Sequence, residues 1–399
     1  MKKRNLGILA AGLIVSALAS ACTTGGDTGT GDGGDGKVVE LVPQDGTANV
    51  KNGDGGQEST GDEEYVEPEE EEVIPDGMYH SELTNEFISL DIKDQRPIAV
   101  MVDNEITALP HFGTSDADIV YEMLNSTANG RITRLMCVMK DWGSIEQFGS
   151  IRSTRPTNVM IAAEYNAILC HDGGPYYINE YLAKPYSNNL SSGFGRFPNG
   201  KSQEYTEYIT YDSYTNPTTG KFYDGLKTRI ERAHYSETYN EHYPGPHWNF
   251  NRTEQNLSDS HSDAFDATFV DLSSCFPHNH SQLKYNEEIG KYEYYEYDKI
   301  YEDAGKNNAH LTFENVILQK CSFSQLDDHG YLIYNILVGQ PWDGYLLQNG
   351  EAIPIQWQKI GQSDRTVFSY MDGSFINLNT GKTYIAIVPD DSWSKMVIQ

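Results

Sequence analysis

The chain has 399 residues, more than one typical domain needs, and its 38% hydrophobic and 12% aromatic content is enough for two cores plus extras. A formal charge of −29 argues against nucleic acid, which requires a basic face, and disfavours broad electrostatic contact with anionic lipid.

The first residues read as a targeting segment. Lys2, Lys3 and Arg4 form a basic start, and Leu6 to Leu18 is apolar but too short to cross a membrane comfortably. "LASAC" (18–22) places small Ala19 and Ala21 before Cys22. It reads as a bacterial lipobox, with residues 1–21 a signal peptide removed before Cys22, whose thiol and amine become lipidated. The alternative is an ordinary secretory signal cut near Ala21, and both readings place the mature protein outside the cytoplasm. "TTGGDTGTGDGGDG" cannot bury anything, and eight of the eleven residues from Asp62 to Glu72 are acidic. Residues 22–78 are therefore expected to be a disordered Gly/acidic tether, flexible at first and then self-repelling.

Residues 90–232 read as a first domain. "RPIAVMVDNE" (96–105) is a buried strand ending in Asp103 and Asn104. "ADIVYEMLNSTANGRITRLMCVMK" (117–140) reads as a hairpin, with Asn129-Gly130 as its turn signal. The second half of "GSIRSTRPTNVMIAAEY" (149–165) reads as a helix with Pro156 in its first turn. "NAILCHDGG" (166–174) is another apolar strand running into polar and glycine residues. The order strand, helix, strand suggests a parallel crossover, whose ligands commonly lie beyond the carboxyl ends of the strands.

Two arginines crowd the start of that helix, where the macrodipole prefers acids. Ser153 or Thr154 is read as the helix cap. Arg152 and Arg155 add planar donor groups suited to carboxylate or phosphate. The candidate ligand-binding residues are thus Arg152, Ser153, Arg155, Asp103, Asn104, His171 and Asp172, around a positively lined hollow open to solvent. The competing reading is an internal salt bridge to Asp103, Asp116, Asp118 or Glu122. Of Arg131 and Arg134, which point to opposite faces of a strand, at most one can join Arg152. His171 and Asp103 are candidate catalytic bases. Cys137, Cys170, Cys275 and Cys321 could pair outside the cell, but Cys137 and Cys170 lie in apolar strand-like runs and read as buried free thiols, and no C-x-x-C pair exists to hold a structural zinc.

Residues 233–399 read as a β-rich second domain after an irregular connection. Asp372-Gly373 and Thr380-Gly381 mark tight turns. "KYEYYEYDKIY" (291–301) alternates tyrosine with charge, as a half-exposed strand does, and tyrosine-rich surfaces also stack on sugars. His278-Asn279-His280 would present two rings on one side of a strand, but no carboxylate at helical spacing completes a metal site. No metal and no cofactor is implied.

"RPIAVMVDN", "SDADIVYEM", "GRITRLMCV", "GSIRSTRP" and "HDGG", in that order and spacing, resemble the YerB-like lipoprotein family. "HLTFENVILQ" (310–319) and "IPIQWQKIG…TVFSYMDGSFINLNTGKTYIAIVP" (353–389) extend the resemblance through roughly Arg96 to Pro389. The tyrosine-arginine and histidine-aspartate pairs that the family often carries before its asparagine-valine strand are absent from "GKYEYYEYDKIYEDAGKNNAH". The resemblance implies an α+β architecture with a mixed sheet in the first domain, a lipid anchor, and a mostly Gram-positive envelope location. It supplies no reaction. The function expected is that of an extracytoplasmic, membrane-anchored lipoprotein binding an anionic or carbohydrate ligand such as a cell-wall fragment. The alternatives are a wall-modifying hydrolase or transferase, and an envelope protein-protein scaffold. The partners expected are the membrane, through a lipid on Cys22, and a cell-wall ligand or envelope protein, with no nucleic acid.

Overall fold

A computed structural model describes residues 72–399. The signal peptide, Cys22 and nearly all of the expected tether lie outside the described residues, and Met78–His80 already forms a short strand. Among the described residues no helix is long and apolar enough to cross a membrane.

The molecule is built on one mixed sheet of eleven strands. In chain order they are β1 (Ile98–Asp103), β2 (Ile119–Leu124), β3 (Thr133–Met139), β4 (Ile168–His171), β5 (Asn188–Ser191), β6 (Phe265–Asp266), β7 (Asn315–Cys321), β8 (Trp342–Gln348), β9 (Glu351–Gln358), β10 (Val367–Tyr370) and β11 (Thr383–Pro389). Their order across the sheet is β6-β9-β8-β7-β11-β2-β3-β1-β4-β5, with β10 also paired to β9. Every residue of β1, β2 and β3 is buried, which accounts for their largely apolar sequence, interrupted by Glu122, Thr133 and Arg134: a strand covered on both faces has no solvent side to make polar. β2 and β3 pair antiparallel from Ile119↔Val138 to Leu124↔Thr133. Asn129 and Gly130 take the left-handed conformation in the connection between them.

The two stretches read as domains share this sheet. β11, from the carboxyl-terminal stretch, pairs parallel with β2 from Thr383↔Ile119 to Ile387↔Met123. A second, six-stranded sheet carries Gln282–Asn286 and Lys291–Glu296. In the latter strand Tyr292, Tyr294 and Glu296 turn inward while Lys291, Glu293 and Tyr295 are half-buried, the alternation its sequence displays.

Helix α1 (Pro156–Glu164) is buried along its whole length, so it packs on all sides rather than along one stripe. Both ends are tied to the carboxyl-terminal stretch. Thr157 Oγ1 accepts from Tyr334 N (2.9 Å). Glu164 accepts from Thr366 N (2.8 Å) and pairs with the buried Lys359 ammonium (3.0 Å).

Between the sheets lies Glu122, 0% exposed. Its carboxylate accepts from Thr133 Oγ1 (2.6 Å), Ser281 Oγ (2.7 Å), Tyr294 OH (3.0 Å) and Tyr384 OH (2.5 Å). Burial raises its pKa, and the hydroxyl donors work against that rise. Three of the four donors come from the carboxyl-terminal stretch. Among the described residues the four cysteines, Cys137, Cys170, Cys275 and Cys321, are buried and unpaired.

Ile385 sits fully buried on β11, opposite Tyr121 of β2. Ile385→Ala should cost about 2–5 kcal/mol by leaving a cavity in the shared sheet. Urea unfolding followed by fluorescence and far-UV circular dichroism should show one transition, shifted as a whole. Two separated transitions would contradict a sheet that unfolds as one unit.

Candidate functional site

β1 and β4 run parallel and pair only through Ile98↔Ile168, Ala99↔Leu169 and Val100↔Cys170. Beyond that point segment 150–152 lies between them. Asp103 N donates to Ser150 O (3.0 Å), Arg152 N to Met101 O (2.9 Å), and Asp172 N to Arg152 O (3.0 Å). The backbone therefore fixes Arg152 at the shared carboxyl edge of the two strands. Ser153 holds the next turn through Oγ, which donates to Asp172 O (3.0 Å). Gly174 is required there, because a Cβ would fall 2.5 Å from Ile178 Cδ1 and 3.0 Å from Thr154 O, at φ +155°.

Three guanidinium groups gather at this edge. Arg134 stands directly opposite Asp103 in the β1–β3 register. The Asp103 carboxylate, 1% exposed, lies 2.8 Å from Arg152 Nε and 3.5 Å from Arg134 Nη2. Arg152 also reaches Glu204 (2.8 Å), with its guanidinium carbon 5.6 Å from the centre of the Tyr205 ring. Arg155, 5% exposed, donates through Nε to Asn125 O (3.0 Å) and through Nη1 to Thr154 O (2.9 Å). Its guanidinium carbon lies 4.4 Å from the centre of the Tyr331 ring. Among the described residues no carboxylate forms an ion pair with Arg155. Nε and Nη1 of Arg134 are buried without a hydrogen-bond acceptor.

The electrostatics follow from this placement. Burial, then the neighbouring charge of Arg134, pushes the Arg155 pKa down to about 9, which leaves it charged at neutral pH. Burial lowers Arg134 as well. For Arg152 burial works in the same direction, but Asp103 and Glu204 outweigh it and hold the group above its ordinary value.

Several expectations need correction. Neither Ser153 nor Thr154 caps α1. Arg155 occupies the cap position, and its N–H donates to Asn158 Oδ1 (3.0 Å). The expected hollow open to solvent is instead a nearly closed cluster, since Arg134 and Arg155 are both buried. One cavity, of about 310 Å³, lies elsewhere, lined by Phe112, Asp116, Phe148 and Lys306 among others. Asn104 does not face the arginines. Its side-chain amide donates to Thr133 Oγ1 (2.9 Å) and lies 3.5 Å from Glu122, inside the buried polar cluster. His171 is 1% exposed, with Nδ1 2.7 Å from Gly173 O and Nε2 3.4 Å from Asn189 Oδ1. Burial lowers its pKa against those two contacts. With Asp103 held between two arginines, neither proposed base faces an open site. His278 and His280 lie in a turn rather than a strand, and Asn279 between them reaches Asn104 O (2.5 Å).

Asp172 belongs to an adjoining group. Its carboxylate lies 3.2 Å from Arg196, which also pairs with the buried Glu207. Glu207 Oε1 accepts from Phe194 N (2.8 Å). Burial, then the neighbouring Asp172, raises the Glu207 pKa to about 7. Arg134, Glu204, Glu207, Tyr205 and Tyr331 were not among the candidates. Only Arg134 carried a signal, as one of two arginines competing for the place beside Arg152. Arg131, the other, turns away and makes two hydrogen bonds to Asp391 (3.0 and 2.8 Å).

Comparison with known proteins finds two family models on the chain. One is described as "Protein of unknown function (DUF3048) N-terminal domain" and matches residues 83–236. The other is described as "Protein of unknown function (DUF3048) C-terminal domain" and matches residues 271–385. A relative from Bacillus subtilis (strain 168), named "Putative lipoprotein YerB", is 23% identical over 334 residues, covering 82% of this chain and 91% of the relative. The crystal structure of YerB protein from Bacillus subtilis shares the fold, with a TM-score of 0.63 at 23% identity over 80% of this chain and 99% of that one.

The Glu207 group has a consequence for stability. Its pKa is higher in the fold than in the unfolded chain, so the fold favours the protonated form. The contribution is complete below the unfolded value of about 4.5 and is lost as pH rises through about 7. The melting temperature should therefore fall between pH 4.5 and 7.5, and Glu207→Gln should flatten that fall. An unchanged slope in the variant would assign the pH dependence to other groups.

Proposed function

The chain belongs to the YerB-like family of paired DUF3048 domains, and from that premise we propose a membrane-anchored lipoprotein of the cell envelope, held at the extracytoplasmic face by a lipid on Cys22, whose folded part binds an anionic ligand at the arginine cluster. The lipobox reading of "LASAC" and the name of the Bacillus relative support the anchor. One observation carries the binding reading: Arg134 and Arg152 share one buried carboxylate while the neighbouring Arg155 has none among the described residues, and Arg134 keeps two N–H-bearing nitrogens without acceptors. Buried donors are normally satisfied, so a cationic side chain left short of acceptors inside the protein marks a place for oxygens from outside. That such a cluster persists in a chain of net charge −29, which has acids to spare, favours a ligand over an internal partner.

A cell-wall fragment fits the location and the charge, because peptidoglycan carries carboxylates on its sugars and peptides. Calorimetric titration of the full-length protein in detergent with muropeptides should give saturable binding. An Arg152→Ala, Arg155→Ala double variant should bind at least about tenfold more weakly while keeping its near-UV dichroism. Absence of binding by the wild type, or equal binding by a folded double variant, would sink the reading. For the anchor, Cys22→Ser should move the protein from the membrane fraction to the soluble one. Retention on the membrane would refute lipidation at that residue.

A further inference from the structure

We infer that the ligand engages this cluster through one singly charged oxyanion, a carboxylate or a phosphodiester, seated between Arg134 and Arg155. This rests on the anion-binding reading above and adds a charge and a place.

The place follows from which N–H groups are already used. Arg152 lies 2.8 Å from both Asp103 and Glu204, so its charge is met even though its Nε, like both Asp103 oxygens, forms no well-aligned hydrogen bond. Arg134 has only the 3.5 Å approach to Asp103, and its Nε and Nη1 are bare. Arg155 spends Nε and Nη1 on backbone carbonyls and makes no ion pair among the described residues. The Tyr331 ring covers one face of its guanidinium, which leaves the edge, where a guanidinium donates, for a ligand oxygen. Arg134 and Arg155 repel one another, and among the described residues no acid bridges them. An external oxyanion between them relieves that repulsion and supplies the missing acceptors.

The charge follows from counting the groups in contact. Three guanidinium groups against the carboxylates of Asp103 and Glu204 leave one positive charge. Asp327 also acts on Arg155, from beyond ion-pair distance, and its carboxylate is occupied by the N–H groups of His329 (3.0 Å) and Tyr331 (3.2 Å). A monoanion brings the cluster to neutrality. A dianion would leave an uncompensated negative charge in a medium that solvates it poorly. The Arg134 side chain is 8% exposed, so a ligand oxygen reaches it only from the outer rim of the cluster. The remainder of the ligand lies outward, along Arg152 (26% exposed) and Glu204 (48% exposed).

The test is a calorimetric comparison at pH 8 on the full-length protein in detergent. The probes are N-acetylmuramic acid as the carboxylate, diethyl phosphate as the phosphodiester, inorganic phosphate as the dianion and N-acetylglucosamine as the neutral sugar. At least one monoanion should bind about tenfold or more tighter than inorganic phosphate, and the neutral sugar should not bind. Which monoanion leads tells carboxylate from phosphodiester. Arg134→Gln should weaken the monoanion about tenfold. Glu204→Gln, on an exposed residue, should raise the surplus charge and narrow the preference against phosphate about fivefold. If Arg134→Gln fails to fold, Glu204→Gln decides alone. Tighter phosphate binding by the wild type, or an unchanged preference in Glu204→Gln, overturns the charge rule while leaving anion binding in place. No heat with any anion, and none with muropeptides, overturns both.

Discussion

The parallel ladder between β2 and β11 is the contact on which the remaining architecture depends. It joins strands separated by more than 250 positions in the chain, and it sets the two family-matched segments side by side in one sheet. Once that register is set, Tyr384 on β11 meets Glu122 on β2. The six-stranded sheet adds Ser281 and Tyr294 to the same carboxylate. A buried carboxylate is tolerable only with its lone pairs satisfied, and here the donors come from both segments. The Glu122 carboxyl group is therefore less a source of net stability than a check on correct assembly, because a shifted register would strand it without partners.

The same assembly brings the arginine site together. Arg134, Arg152 and Arg155 all come from the amino-terminal segment, but the ring against Arg155 belongs to Tyr331 of the carboxyl-terminal one. Nearby, Thr127 N donates to Gly330 O (2.9 Å) and Ser126 Oγ to His329 O (3.0 Å), holding that loop against the hairpin connection. Placing three cations in a poorly hydrated edge is costly, and Asp103 offsets only part of the cost. The imbalance is local and runs against the charge of the whole chain, which is why it reads as chemistry rather than composition.

Much of the scaffold was legible in the sequence because burial on both faces leaves a plain signature. β1 and β4 each appear as an apolar run ending in polar or glycine residues, β2 and β3 as mostly apolar runs on either side of a turn signal, and α1 begins at Pro156 as expected. Arg152 and Arg155 stood out because they occupy a position that helix electrostatics disfavours. Their partner was legible only as a choice among four acids, of which Asp103 is the one in contact with Arg152. Arg134 was ambiguous because its place depends on the register of β3 against β1, a pairing no local pattern specifies. Tyr331, more than 170 positions beyond the Arg155 it covers, had no local signal at all. Asn104 was misread for a related reason: strand position gave the edge correctly, but side-chain direction sent it to Glu122 instead of the arginines. The cap at Ser153 or Thr154 failed because both residues serve neighbouring backbone carbonyls of the 152–174 turn.

The shared sheet also constrains how this chain can be divided. A fragment ending near residue 236 would carry β2 with one side stripped, a mostly apolar strand offering a row of unpaired amides and carbonyls. A fragment starting near residue 271 would do the same with β11. Such raw edges recruit foreign strands, so the two family segments, although recognisable separately, are poor candidates for separate expression or for shuffling into new combinations.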